Sequence, residues 1–315
     1  MNQFKYSVLA TITGGLVLLA ITVVGEPYSN VASVLELSVG ARPLALGGAF
    51  VGLADDGNAL IFNPAALAAL RGLSFFSSGG LQPDFGLQGE IGATFSHLGL
   101  CLQYFDFGDI PQVDEFGNIV GSFSYRTYTL IVGAGICGAD LGLKGPLFGA
   151  LGFGIKAKYL TVDTLAPGRG SGFALDVSII YGGPNTKPRM GFITGFGLGL
   201  TIENVIGIPI TYGSGHREPW SRNVTLGASA TLFNSWVLTM DVVMGKGLRL
   251  GGEWRPASAL MVRIGLRNEG VVIWSLGLGV RFGIFTLDYA FVAHPILPSQ
   301  HHLSFALTLG AFGLR

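Results

Sequence analysis

From about residue 72 onward the chain alternates between bulky apolar positions and small or polar ones. Val272, Trp274, Leu276, Leu278, Val280 and Phe282 share one parity, and Ile273, Ser275, Gly277, Gly279 and Arg281 fall between them. Leu260, Val262, Ile264 and Leu266 alternate with Met261, Arg263 and Gly265 in the same way. Leu151, Phe153, Ile155, Ala157 and Tyr159 are spaced by Gly152, Gly154, Lys156 and Lys158. Successive side chains of a strand point to opposite faces. A sheet built from these segments has one bulky apolar face and one face of Gly, Ser, Thr, Ala and scattered charge. A soluble sandwich would carry many Lys and Glu on its second face. A membrane barrel shows the division seen here, apolar toward lipid and polar inward.

The pattern predicts fourteen strands, at 73–79, 88–96, 98–105, 126–138, 146–160, 170–182, 192–203, 222–232, 235–243, 247–255, 258–267, 271–282, 284–292 and 301–310. An even count suits a closed bacterial barrel, and crossing a bilayer takes about 9–11 tilted residues. Long connections at 106–125, 161–169, 204–221 and 293–300 alternate with very short ones at 97, 233–234, 256–257 and 283. Long loops outside and short turns in the periplasm are the expected asymmetry. It puts both ends of the barrel in the periplasm. The connections near Met244 and Asn268 are short too, so that part of the outer rim is low. Transmembrane helices would need about 20 continuous apolar residues. The best stretch, 271–287, is interrupted by Arg281 and by glycines.

Composition narrows the class further. Only 12% of the 315 residues are charged, against about 25% in soluble domains. The net charge is zero, which gives no basic face for nucleic acid. Lys5 precedes an uncharged run from Tyr6 to Gly25 that ends in Val23-Val24-Gly25. This reads as a secretory signal over 1–25. The alternative, an uncleaved anchor, is weakened by Gly14, Gly15 and four Ser or Thr residues in the run. Cys101 and Cys137 fall on adjacent strands and out of register, so both are expected as free thiols without a metal role.

The charges of the barrel segments sit on the inward parity: Lys156, Lys158, Asp176, Glu203, Asp241, Arg249, Glu253, Arg263, Arg267, Arg281 and Asp288. A charge facing mid-bilayer lipid costs about 2–4 kcal/mol, whereas inward charges can pair across strands. They form either a salt-bridged interior, the favoured reading, or a polar conduit.

Residues 29–71 do not alternate. Leu44 to Leu53 is an apolar, helix-like stretch containing Gly47-Gly48, and Asp55-Asp56-Gly57-Asn58 is a turn. Asn63-Pro64 is a helix start, with Asn as N-cap and Pro in the first position, for a short helix 64–70 ending near Gly72. A fourteen-stranded barrel has room inside, because eight strands are already filled by side chains. The segment is therefore read as an internal hatch rather than a periplasmic appendage. The domains are signal 1–25, hatch 26–72 and barrel 73–315.

Several motifs are set aside. Gly133-Ala134-Gly135-Ile136-Cys137-Gly138 matches GxGxxG, but the glycines that follow cannot form the helix a dinucleotide site requires. Asn223-Val224-Thr225 is a sequon within a strand. His301 and His302 point to opposite faces and cannot chelate together. No nucleophile–base set, metal spacing or phosphate loop stands out. The chain is expected to be no enzyme and to hold no cofactor or metal.

The run from Ser38 through Gly40-Ala41-Arg42-Pro43-Leu44-Ala45-Leu46-Gly47-Gly48-Ala49-Phe50 to Leu60, with Asn63-Pro64-Ala65, resembles the opening of the PorV/PorQ family, akin to the FadL long-chain fatty-acid transporters. Leu287-Asp288-Tyr289-Ala290-Phe291 and His302-Leu303-Ser304-Phe305 resemble its end. The resemblance implies a 14-stranded antiparallel transmembrane β-barrel of the outer membrane with a small N-terminal helical hatch. It implies passage of small hydrophobic molecules or, for the PorV branch, a role in type IX secretion with an exported protein as partner. A barrel with a closed lumen is the third option. The expected surroundings are outer-membrane lipid and lipopolysaccharide. Gly40, Ala41, Arg42, Pro43, Gly47, Gly48, Phe50, Asn63, Pro64 and Ala65 are the candidates for gating. Two features depart from the family: the chain is short for a fatty-acid transporter, and it ends Leu314-Arg315 with Phe312 three from the end.

Overall fold

The computed structural model describes residues 40–82, 86–165, 168–183 and 192–310. The expected signal, residues 26–39 and the C-terminal Phe312 to Arg315 lie outside them. The wall strands are β1 (Leu73–Gln82), β2 (Gly86–Phe95), β3 (Leu98–Val113), β4 (Ile119–Cys137), β5 (Leu151–Asp163), β6 (Gly170–Gly183) and β7 (Ile193–Tyr212). After a two-residue β8 (Arg217–Glu218) come β9 (Asn223–Leu232), β10 (Trp236–Val243), β11 (Gly247–Ala257), β12 (Leu260–Asn268), β13 (Val272–Phe282), β14 (Phe285–Ala293) and β15 (Gln300–Leu309). β8 folds back on β7, so fourteen strands make the wall. Each pairs antiparallel with its neighbours, and β1 pairs with β15 to close the cylinder. Closure leaves no sheet edge within the bilayer, as a lipid-embedded sheet requires.

The alternation sets the two faces. Along β13, Val272, Trp274, Leu276 and Leu278 are exposed outward, while Ile273, Ser275, Gly277 and Gly279 are buried inward. Aromatic pairs ring both ends of this apolar belt. Trp236 stacks on Trp254 and Phe285 meets Phe305 near the short turns, while Tyr104–Tyr128 and Trp274–Phe291 lie toward the opposite end. Such girdles mark the two membrane–water boundaries. The chain is a membrane-spanning β-barrel.

The strands outrun their predicted lengths at one end. The segments 106–125 and 204–221, read as loops, are largely strand: β3 and β4 continue to a turn at 114–118, and β7 runs 20 residues. Beyond the bilayer both faces of a ribbon are wet, so period two fades although the backbone pairing persists. Asp106 to Asp109 and the β6–β7 ladder contain bulges where this extension begins. The predicted strand 146–160 starts only at Leu151, because Pro146–Gly149 forms a helical turn in which Pro needs no hydrogen bond. Cys101 lies opposite Ile131 and Cys137 opposite Gly152, and both thiols are free.

The N-terminal segment packs inside the barrel. It contains a short helix Ala41–Ala45, a helical turn Ala59–Phe62 and a 3-10 helix Pro64–Ala69. The apolar stretch 44–53 is thus not one helix. Gly47 and Gly48 take φ of 66° and 81° and turn the chain, a conformation that glycine adopts without strain. The predicted helix 64–70 is a tighter 3-10 turn. It has the expected start, with the Asn63 side chain accepting from Ala65 N at 3.2 Å. Leu46, Phe50, Leu53, Leu60 and Leu67 are fully buried and pack with Phe76, Ile131, Ile180 and Val237 of the wall.

Candidate functional site

The hatch meets the wall through its backbone. Backbone N–H and C=O groups withdrawn from water must find partners. Here inward-facing wall side chains supply them. Asp241 Oδ2 accepts from Phe50 N at 2.8 Å and from Val51 N at 2.9 Å. Thr239 donates to Ala49 O (3.0 Å), Ser229 to Gly52 O (2.8 Å), Ser275 to Ala45 O (3.2 Å) and Thr201 to Phe62 O (3.0 Å). Ser304 Oγ accepts from Ala41 N at 2.7 Å, and Lys156 Nζ donates to Ile61 O at 2.5 Å. Asn63 is fully buried and donates to Val51 O at 2.9 Å, tying two turns of the hatch together.

Inward glycines form the seat for this contact. Gly265 lies against Gly47, with its absent Cβ position occupied by the backbone around Leu46 and Gly47. Gly154 lies in the same way against Pro64 and Ala65. Gly135, Gly199, Gly227 and Gly251 also face hatch backbone atoms. Much of the small inward face is therefore a surface complementary to the hatch rather than the lining of an open lumen. A side chain at these positions would have to displace main chain, which cannot swing aside as a side chain can.

Arg42 fastens one side of the hatch. Its guanidinium reaches Asp55 (2.5 Å), Asp56 (2.7 Å) and wall Glu253 (3.1 Å), and it lies 5.3 Å from the Phe50 ring. Glu253 also binds Arg263 (2.6 Å) and Arg255 (2.6 Å), and Arg263 binds Asp288 (2.6 Å). Three guanidiniums and four carboxylates thus form one connected cluster across hatch, β11, β12 and β14. A second cluster stands on β5–β7: Asp176 binds Lys156 (3.0 Å) and Lys158 (2.9 Å), and Glu203 lies 3.8 Å from Lys156. Arg249 pairs with Glu269 at 2.5 Å.

Of the remaining predicted lumen charges, Arg267 is half-buried and Arg281 is exposed at the barrel end, beside the β13–β14 turn. Of the hatch candidates, Gly40, Ala41, Pro43, Gly47, Gly48, Pro64 and Ala65 are buried with Arg42, Phe50 and Asn63. Sequence reading missed Asp55 and Asp56 as partners of Arg42, the wall hydroxyls, and Trp220. Above the second charge cluster lies a cavity of about 30 Å³ lined by Ile61, Gln103, Ile131, Lys156, Lys158, Glu203, Asn204, Trp220, Ser221 and Asn223. That is room for about two waters.

The whole barrel resembles several solved structures. The CymD monoaromatic hydrocarbon channel superposes with a TM-score of 0.55 at 10% identity, covering 88% of this chain and 99% of that one. The Pseudomonas putida toluene transporter TodX gives 0.54 at 12% identity, covering 85% and 96%. A Pseudomonas aeruginosa FadL homologue gives 0.51 at 10% identity, covering 90% and 99%. No protein-family model and no curated protein matches the chain. The likeness establishes a shared fold, a closed fourteen-stranded antiparallel barrel.

Proposed function

We propose that this protein is an outer-membrane channel of the FadL-like type, not an enzyme, which lets small hydrophobic molecules diffuse across the membrane past its N-terminal hatch. The carrying observation is the way the lumen is filled. A segment that is not part of the wall ladder occupies it, joined to the wall through the chain only where it enters β1 and otherwise held by hydrogen bonds and ion pairs. Such a plug can shift without breaking the barrel's own ladder. Two channels of similar shape, CymD and TodX, are described as handling monoaromatic hydrocarbons and toluene, which favours an apolar solute here. In this reading the hatch candidates from Gly40 to Phe50 and Asn63 to Ala65 gate, the short turns face the periplasm, and residues 1–25 direct export.

A second reading has one observation in its favour. The β3–β4 ribbon projects beyond the wall and exposes Val113, Phe116, Ile119 and Val120 at its tip. That tip is ordered by Asp114, whose carboxyl is held below its usual range by hydrogen bonds from the Asn118 side chain and from backbone N–H groups. An apolar tip outside the membrane suits a protein partner, as in the PorV-like secretion role. Native mass spectrometry of the protein taken from its own membrane separates the two. The channel reading expects an apolar small molecule released on activation. An exported protein arriving in stoichiometric amount with an empty barrel would replace it with the secretion reading.

A further inference from the structure

Inward positions are small, polar or charged along much of the wall. On β5 the inward parity changes character, from Lys156 and Lys158 to Leu160 and Val162. With Ala174 and Ile210 these form a buried apolar recess toward the end opposite the short turns. An apolar patch at a wet mouth calls for a cover. The cover is Trp220, carried by the segment after β8 and not by a wall strand. Its indole rests on Gly207, where a Cβ would stand 2.8 Å from Cδ1. The indole N–H donates to Ile208 O at 2.8 Å, and the Lys158 ammonium lies 5.7 Å from the ring centroid. Beneath it is the small cavity, lined in part by Asn204, whose buried Oδ1 has no hydrogen-bond partner among the described residues.

We propose that this recess is a binding site for an uncharged aromatic molecule of up to indole size, and that Trp220 is its resident stand-in, displaced when the ligand enters. The inference rests on the channel reading for the route by which a ligand arrives. Gly207 supplies a flat floor that fits a ring. The ammonium of Lys158 favours a π face over an alkane. Asn204 Oδ1 offers an acceptor to a ring N–H or O–H.

Equilibrium dialysis of the full-length barrel in detergent with radiolabelled indole, corrected for uptake by empty micelles, tests this. In wild type the tethered indole competes at millimolar effective concentration or more. Trp220→Ala is therefore expected to bind one indole per barrel at least about tenfold more tightly than wild type. Adding Gly207→Leu to that variant, which fills the vacated floor, abolishes the gain. Trp220→Leu covers the recess only in part, guards against misfolding of the alanine variant, and is expected to bind more tightly than wild type and less tightly than Trp220→Ala. No saturable binding by folded variants overturns the site, as does equal binding by wild type, Trp220→Ala and the double variant. A barrel that binds indole in this way yet passes no solute into liposomes keeps the site and refutes the channel.

Discussion

Replacing Arg42 by Ala is expected to loosen the hatch by about 3 kcal/mol, the low end of the cost of breaking a buried ion pair. The low end applies because Glu253 keeps Arg263 and Arg255, and Asp56 is partly exposed. Asp56, in contrast, loses the guanidinium that joins it to the wall, and Asp55 keeps only wall Arg255 at 4.0 Å. Each 1.4 kcal/mol is a factor of ten. Hydrogen exchange of the Phe50 and Val51 amides should therefore quicken about a hundredfold while the wall strands keep their protection. Arg42→Lys should recover little, since one ammonium cannot reproduce a planar fork shared among three carboxylates. Unchanged exchange in the alanine variant would show that the hatch is held by its apolar contacts alone.

Deleting residues 29–71 should leave a folded, heat-modifiable barrel with larger and less selective conductance. The wall's backbone hydrogen bonds run strand to strand around a closed ring and do not pass through the hatch. The inward Asp241, Thr239, Ser229 and Ser275 lose their hatch partners, but water enters the vacated lumen and takes their place. Planar-bilayer recording reads the outcome. A conductance equal to that of the full chain would mean that the hatch does not limit passage.

The wall was legible because lipid on one side and a filled lumen on the other impose opposite demands on alternate residues. Strand β13 is predicted at 271–282 and found at 272–282 for that reason. The signal stops where the membrane stops, which is why the ribbon around Pro111 and Gly117 read as loop. The hatch was legible by elimination, from apolar residues that neither alternate nor suit water. Its fastening was not. Phe50 N and Val51 N have no side-chain signature that points to Asp241, 191 and 190 residues away. Arg42 stood out in the motif, but Glu253 lies 211 residues further on. The inward glycines were visible yet ambiguous, since small residues suit an open lumen and a close-fitting plug alike. Trp220 was hidden in a segment read as loop. The signal that could have found it was the turn from Lys158 to Leu160 and Val162 at inward parity.

The most direct test is the entry of solutes into liposomes bearing the purified full-length protein. A small aromatic hydrocarbon and a polar solute of similar size are compared, each against protein-free liposomes of the same composition. The expected result is faster entry of the hydrocarbon with protein present and no change for the polar solute. Equal acceleration of both would make the barrel a general pore, and acceleration of neither would make it a closed structural or docking barrel.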